Sequence, residues 1–372
     1  VKSSGVRELS PSDTAVLNGF VELERKLVGS NPLFVSDIDP DVVKRLSRKS
    51  AFFSETEHRL FVASKGSRDV SRCVALINRR YQKAKNEAVG FWGYFAAAPD
   101  NRPQVQAMLE QAEAWLEKRG VTRVIAPYNG ASFLGFGLLT AAFDEEPILT
   151  FGWHPPYYAE YFAGSGYEPT YPLWVYTIDF SSDKYRAAVR RVAENKAVQV
   201  RPMSEKQYNS DLEIMRQLFN ETFKEQWECH PYTREEFHEF FDPMQLLLET
   251  RQMLIAEVEG KPAGFCLGLP DWNPLFRSFK GKLGPVQTNK LLLNAQRYKR
   301  AGLIFIGVLG EHRGTGIAQA LAITLYRLYE EHGLKEAFYY FVDQLNMRSR
   351  RFAESIGGTG HVIYHCYDKR LT

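Results

Sequence analysis

The sequence predicts an α/β fold, a mixed sheet flanked by helices, present as two tandem copies of one domain type. Three observations carry this. The length of 372 residues favours two domains at roughly 150 residues each. An order of helix, hairpin, strand, helix, strand, helix, strand runs through the chain twice. Near the middle of each half a strand-like run meets an Arg and then a helix with one apolar stripe: Gly90 to Arg102 in the first half, Gly302 to Arg313 in the second.

The elements follow in order. Leu60–Ala63 leads into Cys73–Ile77 as a hairpin. After Arg102 a helix places Val105, Met108, Leu109, Ala112 and Leu116 on one face and stops at Gly120. A β-type run, Thr122–Ala126, a helical segment from Tyr157 to Gly166, and an alternating strand, Leu173–Ile178, close the first half. The seam spans Ser181 to Ala197, with a basic linking helix at Arg186–Asn195, so the expected domains are 1–182 and 198–372 around a linker, 183–197. In the second half Met253–Val258 turns at Glu259-Gly260 into Pro262–Leu269. The helix after Arg313 buries Ile317, Ala320, Leu321, Thr324, Leu325 and Leu328 and stops at Gly333. Ala337–Val342, a helix from Met347 to Gly357, and the strand His361–Tyr367 complete it.

Composition narrows the function. Lys+Arg (47) and Asp+Glu (44) nearly cancel, which argues against a general polyanion binder and so against a nucleic-acid partner. No run approaches the roughly 20 apolar residues of a membrane span, so no membrane partner is expected. The polar stretch Val1–Asp13 lacks the apolar centre of a signal peptide. Cys73, Cys229, Cys266 and Cys366 are far apart with no CxxC pair. That argues against a metal site or a disulfide framework and points to the reducing cytoplasm.

The sharpest local signal is Val308-Leu-Gly-Glu-His-Arg313-Gly314-Thr315-Gly316-Ile317-Ala318. A strand ends, a glycine-rich turn follows, and an amphipathic helix starts. Glycine lets the backbone approach a ligand closely, and a helix N-terminus offers unpaired N–H groups and partial positive charge. Together they form a phosphate site, to which Arg313 adds a matching cation. A P-loop is excluded, since no GxxxxGK[ST] occurs. A Rossmann fingerprint is excluded because Gln319 replaces its third Gly.

Arg313-Gly-Thr-Gly316-Ile-Ala318, followed by Asn346 and by Gly357-Gly358, resembles the acetyl-CoA loop and closing turn of the GNAT acyltransferase superfamily. The resemblance covers nearly all of Val198 to Leu371. It implies a CoA-dependent N-acetyltransferase, with acetyl-CoA as donor and the amine of a small molecule or peptide as acceptor. It implies that Arg313, Gly314, Thr315, Gly316, Ile317 and Ala318 hold the pyrophosphate. The pantetheine arm would run beside Ile306 and Val308, with Asn346 either a further contact or simply the N-cap of the next helix. The first half resembles the same fold with a degenerate loop, since Pro103 and Val105 stand where Gly314 and Gly316 do. The tandem plan is compatible with a monomer or a homodimer.

Such a reaction needs a neutral amine, and a Lys-type amine is mostly protonated near neutrality. Glu225, Glu228, His230 and Asp343 are the candidates for the base; a solvated charge cluster at a helix end is the competing reading. The family's usual proton-donating Tyr, four residues before the closing Gly, is replaced by Ala353, preceded by Phe352. Tyr340 and Tyr364 are candidate substitutes, with ordinary strand aromatics as the competing reading. The aromatic segment Trp153–Phe162 is read either as the lining of an acceptor cleft or as core. Trp272–Arg300 is a long basic insertion, functional or simply solvated. Two rival functions stay open: a CoA-binding regulator that has lost its chemistry, and an aminoacyl or peptidoglycan-bridge transferase using charged tRNA.

Overall fold

The computed structural model describes residues 5–147, 151–195 and 197–371. The first residues of the N-terminal stretch and Lys196 of the seam lie outside the described residues. The elements are β1 (Val6–Leu9), α1 (Thr14–Val28), α2 (Asp39–Leu46), β2 (Thr56–Lys65), β3 (Arg68–Asn78), α3 (Arg79–Lys85), β4 (Val89–Ala97), α4 (Arg102–Glu117), β5 (Arg123–Ala126), β6 (Leu138–Leu139), α5 (Tyr158–Gly164) and β7 (Glu168–Asp179). They continue with α6 (Asp183–Glu194), β8 (Gln199–Pro202), α7 (Tyr208–Thr222), α8 (Arg234–Phe241), β9 (Met253–Val258), β10 (Lys261–Pro270), α9 (Asn273–Phe279), α10 (Pro285–Asn294), β11 (Ala301–Val308), α11 (Ile317–Glu331), β12 (Glu336–Asp343), α12 (Met347–Ser355) and β13 (Gly358–Arg370).

The chain divides into two compact units, neither contiguous in sequence. One comprises Val1–Pro172, Asn273–Thr288 and Ile363–Thr372; the other comprises Leu173–Trp272 and Asn289–Val362. In the first unit the strands run β1-β2-β3-β4-β5-β13, antiparallel except that Val89–Phe91 of β4 pair parallel with Arg123–Ile125 of β5. In the second they run β7-β12-β11-β10-β9-β8, antiparallel except that Gly302–Leu303 of β11 pair parallel with Phe338–Tyr339 of β12. Each unit is a mixed sheet flanked by helices, as the two sequence patterns predict.

The helices form where the apolar periods place them. In α4, Val105, Met108, Leu109, Ala112 and Leu116 are all buried. In α11, Ile317, Ala320, Leu321, Leu325 and Leu328 are buried, whereas Thr324, expected on the buried face, is exposed and bonds back to the Ala320 carbonyl. Glu259 and Gly260 both take positive φ, the geometry of a two-residue hairpin turn between β9 and β10.

The closing strands are where structure and sequence pattern part. Leu173–Ile178, read as the end of the first half, pairs with β12 in the second unit. The last strand, from Ile363 onward, pairs with β5 and β6 in the first. Alternation fixes which face of a strand is buried but not which neighbour it joins. Charge makes that choice. Asp368 of β13 pairs with Arg123 of β5, and Lys369 donates to Glu113 of α4 at 2.7 Å and to the Ser165 carbonyl at 2.9 Å.

His154 gives the first unit a pH dependence. Its Nδ1 accepts the Leu139 N–H at 3.1 Å, and burial pushes its pKa down to about 4. The folded state therefore refuses a proton that the unfolded chain takes near the ordinary value of 6.5. Stability from this group is complete above that value and falls as pH drops toward 4. Each tenfold difference in proton affinity between the folded and unfolded chain is worth about 1.4 kcal/mol. We expect melting temperature to decline across this window, and His154→Gln, which keeps an acceptor but does not titrate, to flatten the decline.

Candidate functional site

In the second unit β11 pairs with β10 from Ala301 to Val308, interrupted by one bulge at Ile304. Against β12 it pairs only at Gly302 and Leu303. Beyond them the two parallel strands diverge, so among the described residues Phe305–Val308 carry an edge with no strand on it. Gly307 is required there, because a Cβ would collide with Thr222 of α7.

The open edge runs into the glycine loop. Gly314 and Gly316 have φ of +85° and +91°, a region that side chains rarely enter. Gly316 is the N-cap of α11 and carries no side-chain cap, so the first-turn N–H groups point out of the helix. Two contacts stiffen the loop: Thr315 Oγ1 donates to the His312 carbonyl at 2.7 Å, and Asn195, the C-cap of α6, donates from Nδ2 to the Thr315 carbonyl at 3.3 Å.

Edge and loop border one cleft of about 830 Å³. Of the residues expected from sequence, it gathers Ile306, Val308, Arg313, Gly314, Gly316, Ile317, Ala318 and Asn346. Thr315 sits in the loop but is not a lining residue. Asn346 does two things: it lines the cleft and caps α12, accepting the Ser349 N–H at 3.1 Å. Sequence reasoning missed Thr222, Gln226, Tyr339, Arg348, Ser349 and Arg351. Arg348 and Arg351, one helical turn apart, were a readable sign of a second cationic wall; Thr222 and Tyr339 carry no local signal. A polyanion that is extended at one end fits this site.

The catalytic candidates separate. Tyr340 is buried and stacked on Phe338, away from the cleft lining. Its neighbour Tyr339 faces the cleft and shares a hydrogen bond with Ser349 Oγ, and burial pushes its pKa up to about 12. Asp343 is buried and, like Glu228 and His230, is not among the residues that line the cleft; Oδ2 accepts Trp227 Nε1 and Oδ1 accepts the Leu345 N–H, each at 2.6 Å. Burial raises its pKa, against the pull of these two donors. The Trp227 bond ties Asp343 to the segment that holds Glu228 and His230, both buried. Glu225 does not line the cleft, and Tyr364 is buried in the first unit. Ala353 is fully buried, with Phe352 at the cleft.

The matching junction of the first unit is filled from within. The Tyr94 N–H donates to Asn129 Oδ1 at 2.8 Å, and the Tyr128 N–H to the Trp92 carbonyl at 3.0 Å. At the end of β4 the Ala97 N–H donates to Tyr158 and the Asn101 N–H to Tyr161, while Tyr157 and Tyr161 donate to the carbonyls of Ala97 and Ala98. These tyrosines belong to the aromatic segment Trp153–Phe162, which in this unit packs and seals. A pocket of about 80 Å³ remains beside Tyr94 and Tyr158, and a groove of about 850 Å³ runs along Pro99, Trp153 and Tyr157.

Comparison with known proteins agrees with this architecture. Residues 212–357 match the acetyltransferase (GNAT) family. A bacterial ceramide synthase from Caulobacter vibrioides is 27% identical over 96% of this chain and 95% of its own length. Protein YghO from Escherichia coli is 24% identical over 95% and 93%. Among solved structures, a tandem GNAT protein of the clavulanic acid biosynthesis pathway superposes with a TM-score of 0.56 at 12% identity, covering 98% of both chains. A GCN5-related N-acetyltransferase from Sphaerobacter thermophilus gives 0.50 at 15% identity, covering 98% and 95%. The family match falls on the unit that carries the open cleft, and the chain as a whole shares the fold of tandem GNAT proteins.

Proposed function

We propose that this protein is a CoA-dependent N-acyltransferase whose donor site is the cleft of the second unit. One observation carries the reading: a free strand edge leads into a left-handed glycine loop flanked by Arg313, Arg348 and Arg351. Acyl-CoA has the matching shape, an amide-bearing arm ending in a pyrophosphate. The loop N–H groups and arginines hold the phosphates, and Ile306–Val308 pair with the arm.

In the reaction a neutral amine attacks the thioester carbonyl, the C–N bond forms and the C–S bond breaks. An N–H on the open edge of β11 steadies the carbonyl oxygen. Glu228 or Asp343 takes the proton lost by nitrogen, and Tyr339 gives its hydroxyl proton to the leaving thiolate. Tyr339 takes the place of Tyr340 in this scheme because it is the one at the cleft. Tyr339→Phe is expected to lower kcat by about 10²-fold with little change in KM, measured as thiol release.

The family resemblance implies acetyl as the acyl group. The ceramide synthase relative supports a longer chain and a lipid amine, and Leu345 and Met347, which flank Asn346 in sequence, are exposed apolar residues. Thiol release over a series from acetyl- to palmitoyl-CoA, with a long-chain amino diol against small amines, tests this. Activity confined to acetyl-CoA and small amines would overturn the lipid reading. In the first unit Tyr157, Tyr158 and Tyr161 occupy the backbone at Ala97 and Ala98, where a donor's arm would pair, so no donor is expected there. Calorimetry should return one acyl-CoA per chain, and a second site would contradict that.

A further inference from the structure

We propose that helix α10 and the loop leading into it dock this protein onto an anionic lipid surface. A helix of a folded protein normally turns its apolar stripe inward. Here Leu283, Val286, Lys290 and Leu293 follow one another at spacings of three, four and three, and all are exposed, Val286 at 76% and Leu293 at 68%. Leu292 beside them is also exposed, while Leu291 is the buried leucine of the helix. An exposed apolar stripe of this kind marks an interaction surface.

Charge identifies the partner. Trp272–Arg300 holds seven Lys or Arg and no Asp or Glu, so the rest of the chain, with 40 basic against 44 acidic residues, is net negative. Arg277 is held by Glu146, and Arg300 by Asp271. Lys280 and Lys282 precede α10, Lys290 lies on it, and Arg297 and Lys299 follow it, all of them exposed. Exposed leucine and valine on a segment whose charged residues are all cations is a composition suited to a bilayer interface, with apolar side chains among the acyl tails and cations at anionic headgroups. At ten residues α10 is about 15 Å long, half the thickness of the hydrocarbon core. It therefore lies on the surface; among the described residues no helix is long and apolar enough to cross. A second copy of this chain is a poor partner, because a two-fold contact would set the same cations against each other.

The inference rests on the lipid-amine reading for its purpose, since such an acceptor resides in a bilayer, but docking is measured without catalysis. The whole protein would be floated with vesicles of phosphatidylcholine, with and without phosphatidylglycerol. The parent is expected to float with the anionic vesicles at least about tenfold more than with the neutral ones. The triple variant Leu283→Ser, Val286→Ser, Leu293→Ser and the triple variant Lys280→Glu, Lys282→Glu, Lys290→Glu should each lose about tenfold or more, with unchanged circular dichroism. The serine variant should keep thiol release with soluble amines. If no amine supports thiol release yet flotation behaves as stated, the acyltransferase reading fails and the docking surface stands. No flotation of the parent, equal flotation of parent and variants, or a parent dimer that the serine variant dissolves would overturn the proposal.

Discussion

Gly316→Val is expected to abolish acyl-CoA binding while leaving the protein folded. The φ of +91° places Gly316 where a β-branched residue is strained, and a Cβ there would sit 3.0 Å from Asn195 Nδ2, the group that clamps the loop. Relief of both moves the first-turn N–H groups of α11. A hydrogen bond from backbone to a charged partner is worth about 1.5–3 kcal/mol, so losing two weakens binding by roughly 10²- to 10⁴-fold. Gly333→Val is the matched control. It has φ of +84° with nothing near its would-be Cβ, and it lies past the far end of α11. It should lose stability by a similar amount and still bind. Calorimetry with acetyl- and palmitoyl-CoA reads both, and parent-like binding by Gly316→Val would remove the loop from the donor site.

Asp343→Asn should lower kcat by about 10²- to 10³-fold, and the companion variant Trp227→Phe separates the reasons. If Asp343 is the base, Trp227→Phe keeps the carboxylate and most of the activity. If Asp343 only positions the segment that carries Glu228, the two variants fall together and Glu228→Gln falls as far. The pH profile adds a second readout. Burial lifts the Asp343 pKa, so the carboxylate is ready to accept a proton only above a point higher than its ordinary 3.8. As base it would set the acid limb of kcat/KM there, and Asp343→Asn would erase that limb. Stability runs the other way: ionising a group whose folded pKa is raised costs stability as pH climbs through that range. Asp343→Asn should therefore gain on the parent in melting temperature as pH rises from 4 to neutrality. A variant with parental kcat would leave Asp343 with neither role.

Much of the second unit is legible in the chain, because its signals are local. The stripe of α11, the stop at Gly333 and the left-handed glycines each express a constraint that acts within a few residues. What stays hidden depends on residues far apart. Tyr339 and Tyr340 are equivalent as a sequence pair; only the pairing of β12 decides which one faces the cleft. Thr222 reaches the site from α7 with no motif linking it to the loop. The aromatic segment read as a possible acceptor lining spends its hydroxyls on the backbone of β4. The closing strands are recognisable as strands, but the sequence pattern assigns them to the wrong sheets, since the pairs that place them, Arg123–Asp368 and Glu113–Lys369, span hundreds of residues.

That last feature has a consequence for how the chain is born. On the ribosome the first unit lacks its sixth strand until residues 363–370 have been made, although everything else in its sheet was synthesised long before. The edge of β5 waits unpaired through the synthesis of the entire second unit, and an open edge invites pairing with other chains. A gene cut at the seam would therefore yield two fragments that each lack a strand, rather than two domains. Folding of the two units is coupled by order of synthesis, with completion of the earlier one delayed to the end of translation.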